Sequence, residues 1–299
     1  MLKNNRFVYL GLGLFGVVLG IIVMQYNRPD WAGARIATKN TEARGGHEAW
    51  QQIRSMTLVG MLDAGKVKAE TAKSNMDTMT ASVSAHELAL KVRSQEQSDV
   101  WKTVQLPYSL DLLRPRKSHL EIEFSGDKAI QVYDGEHGWK LRPFLGRREV
   151  EPYTPLETNA ASLQQELDGY LINHQTKGTK VELEGNETVE GHDTFKLKLT
   201  LKGGEERRLW VDTKTYLEVK LDESRTVNGP PLVLSTYFHD YKPIDGLLIP
   251  HLIETRKEGG KDTEKIIINK VILNPNLEDS HFAKPALATI GYYEPENRH

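Results

Sequence analysis

The stretch Thr103–Phe124, TVQLPYSLDLLRPRKSHLEIEF, decides how the chain is read. In its first half Val104, Leu106, Tyr108, Leu110 and Leu112 alternate with Thr103, Gln105, Ser109 and Asp111. Successive side chains of a strand point to opposite faces, so this alternation predicts a strand with one buried face. After Arg114-Pro115-Arg116-Lys117 the pattern returns, with Leu120, Ile122 and Phe124 set against His119, Glu121 and Glu123. Two such runs around a short break predict an antiparallel pair.

Working outward, the same signature recurs. Ile130 and Val132 follow a Ser-Gly-Asp turn, and Trp139 and Leu141 follow Asp134-Gly135-Glu136-His137-Gly138, which continues the meander. Upstream, residues 42–53 read as a short helix started or broken by Gly45-Gly46, and Ser55–Leu62 as a strand. Downstream, Leu156, Ala160, Leu163, Leu167 and Leu171 recur at helical intervals between Pro155 and Gly178, giving a helix with one apolar stripe. Strands then resume at Val181–Leu183, Phe195–Leu201, Arg208–Val211, Leu217–Leu221, Leu234–Tyr241, Leu248–Glu254 and Ile266–Leu273. The sum is about ten or eleven strands and a central helix. The fold class is mostly β (α+β), a large curved antiparallel sheet set against helix.

Phe7–Met24 has no charged residue, follows Lys3 and Arg6, and at about 1.5 Å per residue is close to bilayer thickness as a helix. Gly11, Gly13 and Gly16 have the spacing of a dinucleotide-binding turn, but Arg35-Ile36-Ala37-Thr38 supplies no acid where the ribose needs one, and no strand-helix alternation follows. The segment reads as a signal anchor or signal peptide over residues 1–34. Ala32-Gly33-Ala34 is the one A-x-A-like cleavage site, and the basic end places the rest of the chain on the outer side of the membrane. A polar stretch at 63–100 reads as an insertion, and 286–299 as a tail.

Composition narrows the function. The chain of 299 residues carries 39 basic and 41 acidic residues, which gives no argument for nucleic-acid binding. It has no cysteine, hence no disulfide framework or thiolate metal site. There is no G-x-S-x-G elbow and no H-E-x-x-H, and the ten histidines are scattered. His239 and Asp240 are neighbours, but on a strand they point to opposite faces. No catalytic residue, metal or cofactor is expected.

The order of marks along residues 43–285 resembles the LolA-like family of outer-membrane lipoprotein-sorting proteins of the bacterial envelope. The marks are Gly60, Leu113-Arg114-Pro115-x-Lys117, and Tyr133-Asp134-Gly135 with Trp139 and Pro143. After the Leu-rich helix come Val189-x-Gly191, Phe195-x-Leu197-x-Leu199 and Phe238-x-Asp240-Tyr241. Asp245-Gly246-Leu247-x-Ile249-Pro250, Asn274 and Phe282-x-x-Pro285 close the series. The resemblance implies an open half-barrel whose concave apolar face, lidded by helices, binds acyl chains of lipids or lipoproteins without catalysis. It also implies that Arg114 latches the lid to the barrel.

The candidate cavity residues are Leu106, Tyr108, Leu110, Leu112, Leu120, Ile122, Phe124, Ile130, Val132, Trp139 and Leu141, with Leu163 and Leu167 from the lid. Any curved sheet must bury one face, so the same residues also suit a plain core. The expected place is the bacterial periplasm, tethered by residues 7–24 or free after cleavage, with an inner-membrane protein as a further partner. Two other readings stay open: an envelope sensor domain acting through a protein partner, and a hydrolase of acylated substrates.

Overall fold

The computed structural model describes residues 29–68, 101–124, 126–143, 147–164, 167–225, 232–258, 260 and 263–286. Helices α1 (Pro29–Ala43) and α2 (His47–Gln51) lead into β1 (Ser55–Lys68), β2 (Trp101–Leu113), β3 (Lys117–Phe124), β4 (Asp127–Tyr133), β5 (Gly138–Arg142) and β6 (Arg147–Pro152). Helix α3 (Pro155–Gln164) is followed by β7 (Lys180–Val189), β8 (His192–Thr200), β9 (Glu206–Asp212) and β10 (Glu218–Arg225). Then come β11 (Leu232–Ile244), β12 (Leu247–Lys257), β13 (Thr263–Leu273) and a 3-10 turn, Asp279–Phe282. The strands form one antiparallel sheet in the order β6-β5-β4-β3-β2-β1-β13-β12-β11-β10-β9-β8-β7, which has two ends and does not close.

The chain divides into two compact units, one of Leu171–Glu223 with the residues up to Ala43, the other of Arg44–Tyr170 with Ser224 onward. In the first, α1 packs on β7. Its buried positions are Gly33, Ile36, Ala37 and Asn40, spaced as one helix face. A Cβ on Gly33 would overlap the Val181 carbonyl, so only glycine lets helix and strand approach this closely. The Asn40 side chain donates to the Tyr216 carbonyl at 2.8 Å, which satisfies a buried amide. Leu197, Leu199 and Val211 are fully buried, and Arg207 is paired with Glu223 at 3.0 Å, both side chains 8% exposed. On the other face the ammonium groups of Lys196 and Lys220 both lie over the Trp210 ring, at 5.2 and 4.3 Å from its centroid.

The second unit holds β1–β6 and β11–β13. α3 opens with a capping box: Thr154 Oγ1 accepts from the Glu157 amide and Glu157 Oε2 accepts from the Thr154 amide, with Pro155 at the first helical position. Lys140, buried on β5, is held against the Glu157 carboxylate at 2.5 Å.

Four expectations change. The first strand runs to Lys68, since Lys66, Val67 and Lys68 pair with Thr103, Lys102 and Trp101; backbone pairing orders a stretch whose side chains show no alternation. The polar insertion is thereby narrowed, and residues 69–100 lie outside the described residues. β6 is an added strand, and the described residues hold thirteen. The Leu-rich helix ends at Gln164. Residues 167–178 run as turns, with Gly169 and Asn173 at φ of 78 and 57, because Asp168 is drawn off the helical path into the contacts described below. The long apolar segment Phe7–Met24 lies outside the described residues. Among the described residues no helix is long and apolar enough to cross a membrane.

Candidate functional site

Register decides which candidate residues share a face. Tyr108 pairs with Ile122, Leu110 with Leu120 and Leu112 with Ser118, so the apolar sides of β2 and β3 coincide. On β1, Met56, Leu58, Gly60 and Leu62 pair with Leu112, Leu110, Tyr108 and Leu106 and extend that face. Gly60 and Leu62 in turn pair with Ile268 and Ile266, and Ile266 with Ile253 of β12. A bulge between Val59 and Gly60 brings the Ile267 carbonyl against the Gly60 Cα, where any side chain would collide. The result is one continuous apolar face across β3, β2, β1, β13 and β12.

That face is unevenly covered. Leu106, Tyr108, Leu112 and Ile122 are buried, as are Leu58, Leu62 and Ile268. Leu110, Leu120, Phe124, Ile253 and Ile266 keep part of their surface open. Burial, with the charge of Glu264 adding to it, pushes the Tyr108 hydroxyl well above the ordinary tyrosine range and keeps it neutral.

Four of the candidates are on the opposite face. Glu121 pairs with Ile130 and His119 with Val132, so β4 turns these two away from Leu120 and Ile122. Ile130 and Val132 pair with Leu141 and Trp139. Together Ile130, Val132 and Leu141 form a separate cluster with the fully buried Phe282, flanked by Leu113, Trp139 and Leu277. A single cavity containing all the candidates is therefore not what the register builds. Leu167 is buried; Leu163 is in α3 and its side chain lies outside the described residues.

Arg114 sits where β2 ends. Its Nε donates to the Ile53 carbonyl at 2.8 Å and its Nη2 to the Trp50 carbonyl at 3.3 Å, one just past the end of α2 and one in its last turn. The same nitrogen is 2.8 Å from Asp168 Oδ2, a side chain with no exposed surface. Arg44 donates to the Asp168 carbonyl at 3.1 Å, its guanidinium lies over the Trp50 ring, and Trp50 Nε1 donates to the Arg44 carbonyl at 2.9 Å. One guanidinium thus ties β2, the end of α2 and the turn after α3. Planar multi-donor geometry is what arginine offers and lysine does not. Sequence reasoning singled out Arg114 but missed Asp168, Arg44 and Trp50. Asp168-Gly169 is a turn-favouring pair of the same kind as Asp134-Gly135 and was the available signal.

Below this knot opens a groove of about 490 Å³ lined by Gln52, Arg54, Ser55, Leu113 and Asn274–Leu277. Among the described residues no cluster of three or more His, Asp or Glu side chains could hold a metal ion.

The sequence matches no protein-family model and no curated protein. Solved structures do match. A LolA superfamily protein from Nitrosomonas europaea superposes with a TM-score of 0.51 at 14% identity, covering 84% of this chain and 97% of its own. The chain has the fold of the LolA superfamily. A domain from Vibrio parahaemolyticus described as outer membrane lipoprotein-sorting gives 0.50 at 13% identity, covering 85% of this chain and 97% of its own. The resemblance read from the ordered marks holds at the level of the LolA fold, which these identities reach and do not exceed.

Proposed function

We propose that the chain is a non-catalytic binder of acyl chains of lipids or lipoproteins in the bacterial cell envelope. It works in the periplasm, with residues 7–24 as a tether to the inner membrane. The observation that carries this reading is the apolar face of β1–β3, β12 and β13, whose middle residues Leu110, Leu120 and Phe124 stay partly open beside a cover tied down by one arginine. An apolar surface of this kind costs free energy in water and gains it under an alkyl chain, at roughly 25 cal/mol per Å². The superfamily resemblance and the lipoprotein-sorting description of a structural neighbour support it. On this reading the open sheet acts as a half-barrel, α2 and the turn at Leu167–Tyr170 act as the lid, and Arg114 is the latch. Gly33 belongs to the packing of α1, which argues for retention of the tether over cleavage at Ala32-Gly33-Ala34.

The test uses the full chain in bilayers containing a phospholipid with a photoreactive diazirine in its acyl chain. Adducts on Leu110, Leu120, Phe124 or Ile253 are expected. Adducts confined to residues 7–24 would refute acyl binding by the sheet.

A further inference from the structure

We infer that the groove beside the start of β1 is a binding site for a phosphate-ester anion. The inference rests on the lipid-binding reading for its biological source, and on the groove itself for its chemistry.

Most polar groups of the frame are already used. Asn274 accepts from the Arg54 amide at 2.7 Å and donates to the Gln52 carbonyl at 3.2 Å, while the Ser55 hydroxyl donates to the Pro275 carbonyl at 2.7 Å. These bonds fix the shape of the walls. What they leave over includes a set of donors at the exposed rim: the Arg54 guanidinium and the side-chain amides of Gln52 and Asn276 make no hydrogen bond among the described residues. Among the described residues the lining contains no aspartate or glutamate to neutralise Arg54. The guanidinium offers N–H donors in a fork that suits phosphate oxygens, the two amides can add further N–H donors, and Leu113 and Leu277 supply a short apolar wall for a glycerol backbone. At about 490 Å³ the groove has the volume of an ordinary small-molecule site.

Position links the groove to the knot above it. The Ile53 carbonyl accepts from Arg114 Nε and the Arg54 carbonyl accepts from the Arg114 amide at 2.9 Å. The segment Gln52–Arg54 therefore borders the groove on one side and anchors Arg114 on the other. An anion drawn onto Arg54 pulls on the segment that the latch holds, so head-group binding and lid opening share one piece of backbone.

The experiment follows modification of Arg54 by phenylglyoxal in the full chain in a neutral detergent, with exposed Arg35 as the internal control. Dihexanoyl phosphatidylglycerol is expected to slow modification of Arg54 about tenfold, the worth of one charge-assisted contact, and to leave Arg35 unchanged. Glycerol phosphate protecting equally well at the same concentration would support the anion site and assign it to a free phosphate ester rather than a lipid. Unchanged modification with either anion, or equal protection by uncharged dihexanoylglycerol, would overturn the inference. Arg54→Gln should abolish anion binding as read by isothermal titration and Arg54→Lys should restore part of it. Loss of acyl cross-linking with Arg54 protection intact would refute the acyl-binding function and leave the anion site standing.

Discussion

Strands β7–β10 and strands β1–β3 are written in the same alternating code, yet they end in different states. In the first set Leu197, Leu199 and Val211 have no exposed surface, and α1 presses on β7 through Gly33, Ile36 and Ala37. In the second, Leu110, Leu120 and Phe124 point to the same side as buried Leu106 and Ile122 and stay partly open. Alternation alone specifies which face is apolar; what covers it decides whether that face becomes core or site. Small residues on α1 permit close packing, whereas the cover near β2 is held by a polar knot around Arg114.

The sharpest way to break this comparison is to cut the same amount from each region. Leu197→Ala should destabilise its unit by about 4 kcal/mol, because a fully buried leucine leaves a cavity behind. Hydrogen exchange followed peptide by peptide across β7–β10 would read the loss. If that unit tolerates the change with less than about 1 kcal/mol, its core is no better packed than the open face.

Next in size is the latch. Arg114→Ala removes the guanidinium 2.8 Å from the buried Asp168 carboxylate, at a cost of about 3 kcal/mol, the low end for a buried pair since the Arg114 side chain is 28% exposed. Arg114→Lys should not recover it, because one ammonium cannot reach the Trp50 and Ile53 carbonyls and Asp168 together. The double variant Arg114→Ala with Asp168→Asn should be milder than the single one. Additivity in that cycle would show that the two side chains are not coupled.

Smaller again is the open face. Leu110→Ala should cost about 2 kcal/mol, less than Leu197→Ala because part of its surface is already in water, while acyl cross-linking to β2 and β3 falls. A stability loss as large as that of Leu197→Ala would make Leu110 core and remove it from the site.

Most strands were legible in the sequence because period two survives in them, β6 and the far end of β1 excepted; their faces were not. Phe124 pairs with Asp127, so even positions on β3 meet odd positions on β4, and Ile130 and Val132 are carried to the far side. Leu113 pairs with Lys117, which keeps the parity between β2 and β3. A one-residue difference in turn length makes that distinction, and no alternation within a strand records it. α1 escaped notice for another reason: its buried positions are Gly33, Ile36, Ala37 and Asn40, which leave hardly any apolar stripe. Arg114 was legible through Arg-Pro, but its partner Asp168 stands 54 residues away inside a Leu-rich run.

The far face supplies the smallest effect and a sign that can be worked out. There the 3-10 turn is held by Lys117 to Asp279 at 2.8 Å, by His281 Nε2 to Asp111 at 2.7 Å, and by His119 Nδ1 to the His281 carbonyl at 2.8 Å, with the two imidazoles stacked. Burial acts to lower the His119 pKa, but the Glu121 carboxylate 3.2 Å from its Nε2, the His281 carbonyl and the charge of Asp111 outweigh it and raise it. Its contribution is full below the ordinary histidine value of 6.5 and is lost as pH rises through the raised value. The carboxylates act in the other direction. Glu121, held chiefly by His119 and also by Lys128, is lowered to about 2. Asp111 is lowered too, because hydrogen bonds from His281 and Thr57 overcome its burial. Their contribution is present above the ordinary carboxylate range and fades as pH falls through the lowered values. Protection of residues 279–283 from hydrogen exchange should therefore peak between the carboxylate and histidine ranges and decline above neutrality. His119→Gln should flatten the decline on the alkaline side and weaken the part of the acid side that Glu121 supplies, leaving the part held by His281 and Thr57 on Asp111. A profile with the same alkaline decline in that variant would mean that the turn is held by Phe282 in its apolar cluster and Lys117, with His119 a bystander.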